Sequence, residues 1–394
     1  MVQPGEQESK DVAAALGGQS AAQSGGQPDW DGLLKWSLAH SEGGQPAHQL
    51  SEEDRKWFME AMQANTRDVI KRMKEISLVM NTPRQTLEEQ GVTTKDLEGL
   101  LEELQEHVES LDMANDLHTI GGLVPLLGFL KDPDAPVRAR AAEVISTMVQ
   151  NNPKSQQQVM DTRGLEYLLT NFTSDSDDTV RTKALGAISS LIRHNKSGIG
   201  AFRLANGFSA LKDALTSDTP KLQRKALQLA QYLLHENPKD TGVASELGYP
   251  RLLTSLARSS DSDIRQVALH TLLEIAQNQK IEDPTKLKDA LSERIQNLQG
   301  LNPEDLRAVK EERQLIDSLW QICFNQPSSL REDGLLVLPG EEDQSAPPPD
   351  VASGMFEPSL RSLAAPPRGS PAQGSDAEKP VLLLQAGHPT ESHD

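Results

Sequence analysis

Four stretches of this chain are variants of one another. "VRARAAEVISTMVQNN" begins at Val137, "VRTKALGAISSLIRHN" at Val180, "LQRKALQLAQYLLHEN" at Leu222 and "IRQVALHTLLEIAQNQ" at Ile264. In each, apolar residues recur three and four apart, the pattern of an amphipathic helix. A small residue keeps its place in all four, at Ala141, Ala184, Ala226 and Ala268, spaced 43, 42 and 42. An independent landmark, the glycine that opens the preceding turn, recurs at Gly122, Gly164, Gly207 and Gly248, spaced 42, 43 and 41. Internal repetition at about 40–47 residues marks helical solenoids. One unit cannot bury its apolar face alone, so neighbours must stack and share a core.

The second unit shows the internal order. A short helix, Ser155 to Met160, follows Pro153, and Gly164 turns the chain into a second helix carrying Leu165, Leu168, Leu169 and Phe172. An acidic loop, "TSDSDD", precedes the long third helix from Val180, and its aspartates are natural N-caps. Three helices of this kind resemble an armadillo repeat. The expected fold is all-α: a right-handed armadillo-like α-α superhelix of about four three-helix repeats over residues 119–280.

The flanks read differently. Residues 1–28 are rich in Gly, Gln, Ser and Ala and read as disordered. Residues 29–118 read as an N-terminal helical capping region. It contains a short helix around Trp30, Leu33, Leu34 and Trp36, a long helix capped by Ser51 and stopped at Pro83, and one or two more begun by Thr93 or Thr94. Residues 281–327 are helical but break the period, as a polar cap should, and 328–394 read as a disordered acidic tail rich in Pro, Ser and Gly.

Composition agrees. Aromatic residues are only 4% of the chain, so the core must be aliphatic, which suits helices. The single cysteine, Cys323, cannot form an internal disulfide and sits in an apolar helix, where a buried inert thiol is expected. The N-terminus lacks the basic head and apolar centre of a signal peptide, and no apolar run approaches the ~20 residues needed to span a bilayer. The expectation is a cytosolic protein, monomeric and off the membrane.

The net charge of −19 is unevenly spread. Residues 1–118 carry 10 basic and 22 acidic side chains, whereas 119–280 carry 19 and 16. The repeats are the mildly basic part of an acidic protein. That argues against nucleic acid, which needs a strong local excess of Lys and Arg, and for a partner with an acidic surface.

Nothing points to catalysis. The nine histidines are scattered with no ligand spacing, "GGLVPLLG" lacks the Lys and Ser/Thr of a phosphate loop, and no nucleophile elbow occurs. No metal or cofactor is expected, and the chain reads as a binding protein rather than an enzyme. In an armadillo solenoid the third helices line the concave groove. Aligned on their alanines, they point inward Glu143, Thr147 and Gln150; Gly186, Ser190 and Arg193; Gln228, Tyr232 and His235; and His270, Glu274 and Gln277. The Trp and Asn ladder of nuclear-import adaptors is absent from these places. A basic row starts the same helices: Arg138, Arg140, Arg181, Lys183, Arg224, Lys225 and Arg265. It reads either as pairing with the acidic loops just before it or as a positive rim that steers an acidic partner. Tyr232 is the expected aromatic anchor.

Several segments carry a more specific resemblance: "WDGLLKWSLAHS", "LSEEDRKWFMEAMQ", "LQEHVESLDMANDLHTIGGLVPLLGFL", "DDTVRTKALGAISSLIRHN" and "FRLANGFSAL". Over roughly Asp29 to Gln326 the chain resembles the armadillo-type nucleotide exchange factors of the heat-shock-70 chaperone, the HspBP/Fes family, closest to its plant-like branch. The resemblance implies a co-chaperone that clamps the chaperone's nucleotide-binding domain in the concave face and displaces one lobe, so that ADP leaves. It implies no covalent chemistry. It also implies a disordered terminal segment that frees client peptide, for which residues 1–28 are the candidate. Two other classes fit the residues without the resemblance: a general armadillo scaffold without exchange activity, and an enzyme without a recognised motif.

Overall fold

The computed structural model describes residues 52–281 and 283–338. Residues 1–28, the Trp30–Trp36 segment, the Ser51 cap and the tail beyond residue 338 lie outside the described residues. Among the described residues every regular element is helical and no helix is long and apolar enough to cross a membrane.

The chain enters through α1 (Glu52–Asn81), α2 (Arg84–Glu89) and α3 (Thr94–Val108). Thr93 rather than Thr94 caps α3, in a reciprocal box with Asp96. The first periodic module follows as α4 (Leu111–Ile120), α5 (Leu123–Gly128) with a 3-10 turn at Phe129–Lys131, and α6 (Ala135–Val149). The second is α7 (Pro153–Asp161), α8 (Gly164–Ser174) and α9 (Asp178–Ile192). The third is α10 (Lys196–Leu204), α11 (Gly207–Leu215) and α12 (Pro220–Glu236). The fourth is α13 (Asp240–Glu246), α14 (Tyr249–Leu256) and α15 (Ser262–Asn278). Then come α16 (Pro284–Gln299), α17 (Pro303–Ala308), α18 (Lys310–Phe324) and the short α19 (Ser329–Glu332).

The third helices start in two ways. Asp177 and Asp261 accept hydrogen bonds from the first amides of α9 and α15, as the acidic loops predict. α6 and α12 instead carry a proline in the first turn, Pro136 second in α6 and Pro220 first in α12, whose missing N–H leaves nothing to cap at that place.

Ala141, Ala184, Ala226 and Ala268 are fully buried, and each third helix packs on the next: α3 on α6, α6 on α9, α9 on α12, α12 on α15 and α15 on α18. The row of third helices therefore runs past the four periodic modules into both flanks. The result is an all-α, armadillo-like solenoid with one continuous aliphatic core.

The turn between first and second helices explains the uneven glycine spacing. Gly121, Arg163, Asn206 and Gly248 hold positive φ, from 58° to 90°. Gly122, Gly164 and Gly207 are the residues after them. There a Cβ would land 2.5 Å from Leu117 Cδ1, 2.4 Å from Val159 Cγ1 and 2.2 Å from Phe202 Cε1. Gly248 thus corresponds to Gly121, not to Gly122, and Tyr249 takes the crowded position. It is wholly buried and its hydroxyl donates to the Phe208 carbonyl at 2.8 Å.

The chain stays ordered beyond residue 327. Asp317 accepts from the Ser328 hydroxyl at 2.7 Å and pairs with Arg331, the buried Arg313 donates to the Leu335 and Leu336 carbonyls, and Leu330 is buried. Residues 328–338 are strapped to the C-terminal cap because two charged groups of α18 find their partners there.

Candidate functional site

The row of α3, α6, α9, α12, α15 and α18 forms one wall, and polar contacts cross it at every step. Arg140 lies 3.9 Å from Glu102 and 3.3 Å from Glu143. Glu143 pairs with Lys183 of the next helix. Beyond Lys183, the ammonium of Lys225 sits 3.6 Å from where a Cβ on Gly186 would stand. His235 Nδ1 lies 3.0 Å from Glu274 Oε1, and Gln266 donates to Glu311.

A second line of contacts forms a seam beneath these. Gln105 donates to the Thr147 hydroxyl at 3.1 Å, the Ser146 and Ser190 hydroxyls are 2.9 Å apart, and the His194 N–H donates to the Tyr232 hydroxyl at 2.8 Å. The first pair joins the N-terminal flank to the first module, and the other two join one module to the next.

The predicted inward residues therefore separate into two sets. Arg140, Glu143, Lys183, Arg193, Lys225, Gln228, His235, His270 and Glu274 keep exposed or half-exposed side chains on the wall. Thr147, Gln150, Gly186, Ser190 and Tyr232 are buried. The alanines let the helices approach closely enough to enclose the seam. Tyr232, the expected exposed anchor, is only 8% exposed, with its hydroxyl taken by His194 and Arg193 stacked 4.3 Å over its ring. Gln277 is exposed.

The basic row also divides. Arg138 makes a double hydrogen bond to Asp175, at 2.7 and 2.8 Å, and donates to the Asp132 and Pro133 carbonyls. Arg224 pairs with Asp261 at 2.8 Å and Asp263 at 3.5 Å. Arg265 holds the buried Glu312, at 2.6 Å. Arg181 pairs with Asp178 at 3.1 Å and donates to the Phe172 carbonyl at 3.2 Å. These four arginines are engaged in structure. For Arg138, Arg224 and Arg265 the acid lies in the following segment, not in the preceding loop. Of the basic row, Arg140, Lys183 and Lys225 give the wall its positive charge.

Burial shapes the charges on this wall. Burial first, and the Lys183 ammonium second, push Lys225 below the usual lysine range, against the pull of Glu143. Burial also lowers His270, though Glu311 and Glu274 oppose it. His270 therefore favours its neutral form at neutral pH. Sequence reasoning missed Glu102, Gln105 and Glu311 because they stand on helices outside the periodic modules. The thiol of Cys323 is half-buried and burial raises it above its ordinary value, which keeps it protonated and unreactive at neutral pH. The wall presents a polar surface, and no activated nucleophile is among the groups described on it.

Comparison with known proteins adds to this geometry. Residues 113–245 match the family model described as the SIL1/FES1/HPBP1 C-terminal domain, and residues 30–117 match that of the nucleotide exchange factor Fes1. Hsp70-binding protein 1 of Homo sapiens is 32% identical over 312 residues, covering 75% of this chain and 86% of that protein. Hsp70 nucleotide exchange factor FES1 of Scheffersomyces stipitis is 33% identical over 141 residues, covering 35% of this chain and 46% of that protein. Among solved structures, an engineered protein superposes with a TM-score of 0.51 at 20% identity, over 64% of this chain and 99% of that one, a likeness of fold alone.

Proposed function

We propose that this chain, which belongs to the SIL1/FES1/HPBP1 family, is a nucleotide exchange factor that binds the nucleotide-binding domain of a heat-shock-70 chaperone and promotes ADP release. The observation that carries this reading is the match to Hsp70-binding protein 1 across 86% of that protein and 75% of this chain, a length of several modules rather than one. The names of the relatives supply the partner and the exchange activity.

The geometry supports a non-catalytic mechanism. Arginine clasps and a hydrogen-bonded seam tie each third helix to its neighbours, so the wall yields little when a partner docks. Strain from any mismatch then falls on the partner. If the wall binds the opened form of the nucleotide-binding domain more tightly than the closed form, it draws the domain open and weakens its hold on ADP. Linkage makes this reciprocal: nucleotide must weaken the exchange factor to the same degree, so rebinding of ATP ejects it.

The contact residues in this reading are Arg140, Glu143, Lys183, Arg193, Lys225, Gln228, His235, His270 and Glu274, on the half-open face of the wall. Thr147, Gly186, Ser190 and Tyr232 set its shape from beneath, Arg138, Arg224 and Arg265 tie successive units together, and Arg181 fastens α9 to α8 within the second module. The protein acts as a monomer in the cytosol, a reducing setting in keeping with its lone Cys323.

The test is the release of a fluorescent ADP analogue from a heat-shock-70 chaperone, followed by stopped flow. Acceleration that saturates near one-to-one stoichiometry is expected. Binding without acceleration would instead make the chain a scaffold, and turnover of any product without chaperone would make it an enzyme.

A further inference from the structure

Away from the wall, a cavity of about 310 Å³ opens where the fourth module meets α16. Arg258, Ser259, Ser260, Arg265, Arg294 and Asn297 line it. Two of its guanidiniums share one carboxylate. Arg265 and Arg294 each place Nε 2.6 Å from Glu312 Oε1, with Nη2 at 3.2 and 3.0 Å from Oε2. Arg258, at the open edge, pairs with Glu293 at 3.1 Å. Three guanidiniums against two carboxylates leave one positive charge over. Arg294 donates through Nε and Nη2, and its Nη1 has no partner among the described protein groups.

The mouth of the cavity carries a hydroxyl with nothing to do. Ser259 Oγ already accepts the Asp261 N–H at 3.2 Å. Ser260 is exposed, and its hydroxyl bonds to no described group. The acids that follow it, Asp261 and Asp263, are both held by Arg224, which blunts their repulsion of a second anion nearby.

We propose that this cavity is a phosphoryl site, in which Arg258 and Arg294 receive a phosphate carried on Ser260 or a free phosphate ion, while Arg265, whose Nη1 donates to the Ser259 carbonyl at 2.8 Å, contributes charge only. The chemistry fits in charge and geometry. A phosphoserine carries about −1.5 to −2 charge at neutral pH and three acceptor oxygens, and arginine forks match such oxygens in pairs. The shared Glu312 leaves charge that one carboxylate cannot neutralise, and Arg294 keeps Nη1 as a donor. On Ser260 the group would come from ATP: a serine kinase joins the γ-phosphorus to Oγ, the bond to ADP breaks, and the hydroxyl proton passes to the kinase's base. Once in place, the phosphate bridges the loop before α15 to α16 and stiffens the junction between the fourth module and the cap.

Two arms on the full chain test this and distinguish the sources. In one, inorganic phosphate is titrated against chloride at constant ionic strength. In the other, phosphoserine is placed at position 260 during translation. Melting temperature is read in each, with Arg258→Ala and Arg294→Lys as companions. The exposed Arg258 can be removed without unseating Glu312, so the fold survives its loss. A rise of roughly 1–2 °C is expected in at least one arm, the scale of about 1 kcal/mol for a folded body of this size. It should shrink by half or more in Arg258→Ala. A rise with free phosphate alone assigns the ion, and a rise with phosphoserine alone assigns Ser260. No rise in either arm, or a rise that both variants retain in full, overturns the proposal.

Discussion

Arg138 on α6 grips Asp175 with two guanidinium nitrogens, at 2.7 and 2.8 Å, across the boundary between the first and second modules. The pair is largely out of water, at 15% and 6% side-chain exposure. The same step of 37 residues joins Arg203 to Asp240 and Arg224 to Asp261. These clasps hold successive modules in register. Arg138→Ala should destabilise the fold by about 1–3 kcal/mol, because it leaves a mostly buried carboxylate without its strongest partner. Urea denaturation reads this directly, and an unchanged midpoint would mean that the clasp is ornamental.

Acid should find a second set of pairs. The Arg72 guanidinium, aided by His107, brings Glu103 from 4.5 down to about 2, against the opposing effect of burial. A carboxylate lowered on folding stabilises the native state above its unfolded value and loses that contribution as pH falls through its folded value. For Glu103 the window runs from about 4.5 to about 2. Glu103→Gln should therefore be less stable than the parent at pH 7 and lose less of its stability on acidification through that range. Parallel stability curves for the two proteins would contradict this.

Two glycines should respond in opposite ways. A Cβ on Gly207 meets three ring carbons of the buried Phe202 within 2.5 Å, so Gly207→Ala should cost about 1–3 kcal/mol. Gly186 lies inside α9, and its added methyl would meet only Lys225 Nζ, at 3.6 Å. Gly186→Ala should hold or raise stability, by up to about 0.5–1 kcal/mol, as alanine is the better helix former. Melting curves of the two variants decide, and equal shifts would contradict the packing described at both glycines.

Tyr232 and Lys183 separate architecture from docking. Tyr232→Phe removes the acceptor for the His194 N–H and should cost about 1–2 kcal/mol of stability, with chaperone affinity little changed. Lys183→Glu sets two acids against each other across the wall, since Glu143 is its partner. It should weaken chaperone binding about tenfold at low salt, and less at high salt, while the protein still folds. Calorimetric titration against the chaperone's nucleotide-binding domain measures both. The reverse pattern would restore Tyr232 as a contact residue.

The solenoid was legible because its period is written twice, in alanines and in glycines. The glycine landmark slipped by one residue in the fourth module, where Tyr249 fills the place that crowding reserves for glycine elsewhere. The extra members of the wall, α3 and α18, carry no alanine landmark, so nothing in the spacing announced them. The arginine row was read as a rim or as partnered with the loops before it. Its acids mostly lie about one module ahead, and only the repeated 37-residue offset between Arg and Asp could have revealed that. Tyr232 looked like an anchor because helical phase assigns a face but not a depth. How closely two helices approach decides whether a residue beside the groove sits on its surface or beneath it.

The most direct measurement places a photo-crosslinking residue on either side of the solenoid in the presence of the nucleotide-free chaperone. Gln228 lies on the wall of third helices, and Leu204, 89% exposed, stands at the end of a first helix, away from it. The account predicts that position 228 crosslinks to the nucleotide-binding domain, that ATP abolishes the product, and that position 204 gives none. Crosslinks from position 204 with none from position 228 would place the partner on another face and contradict it.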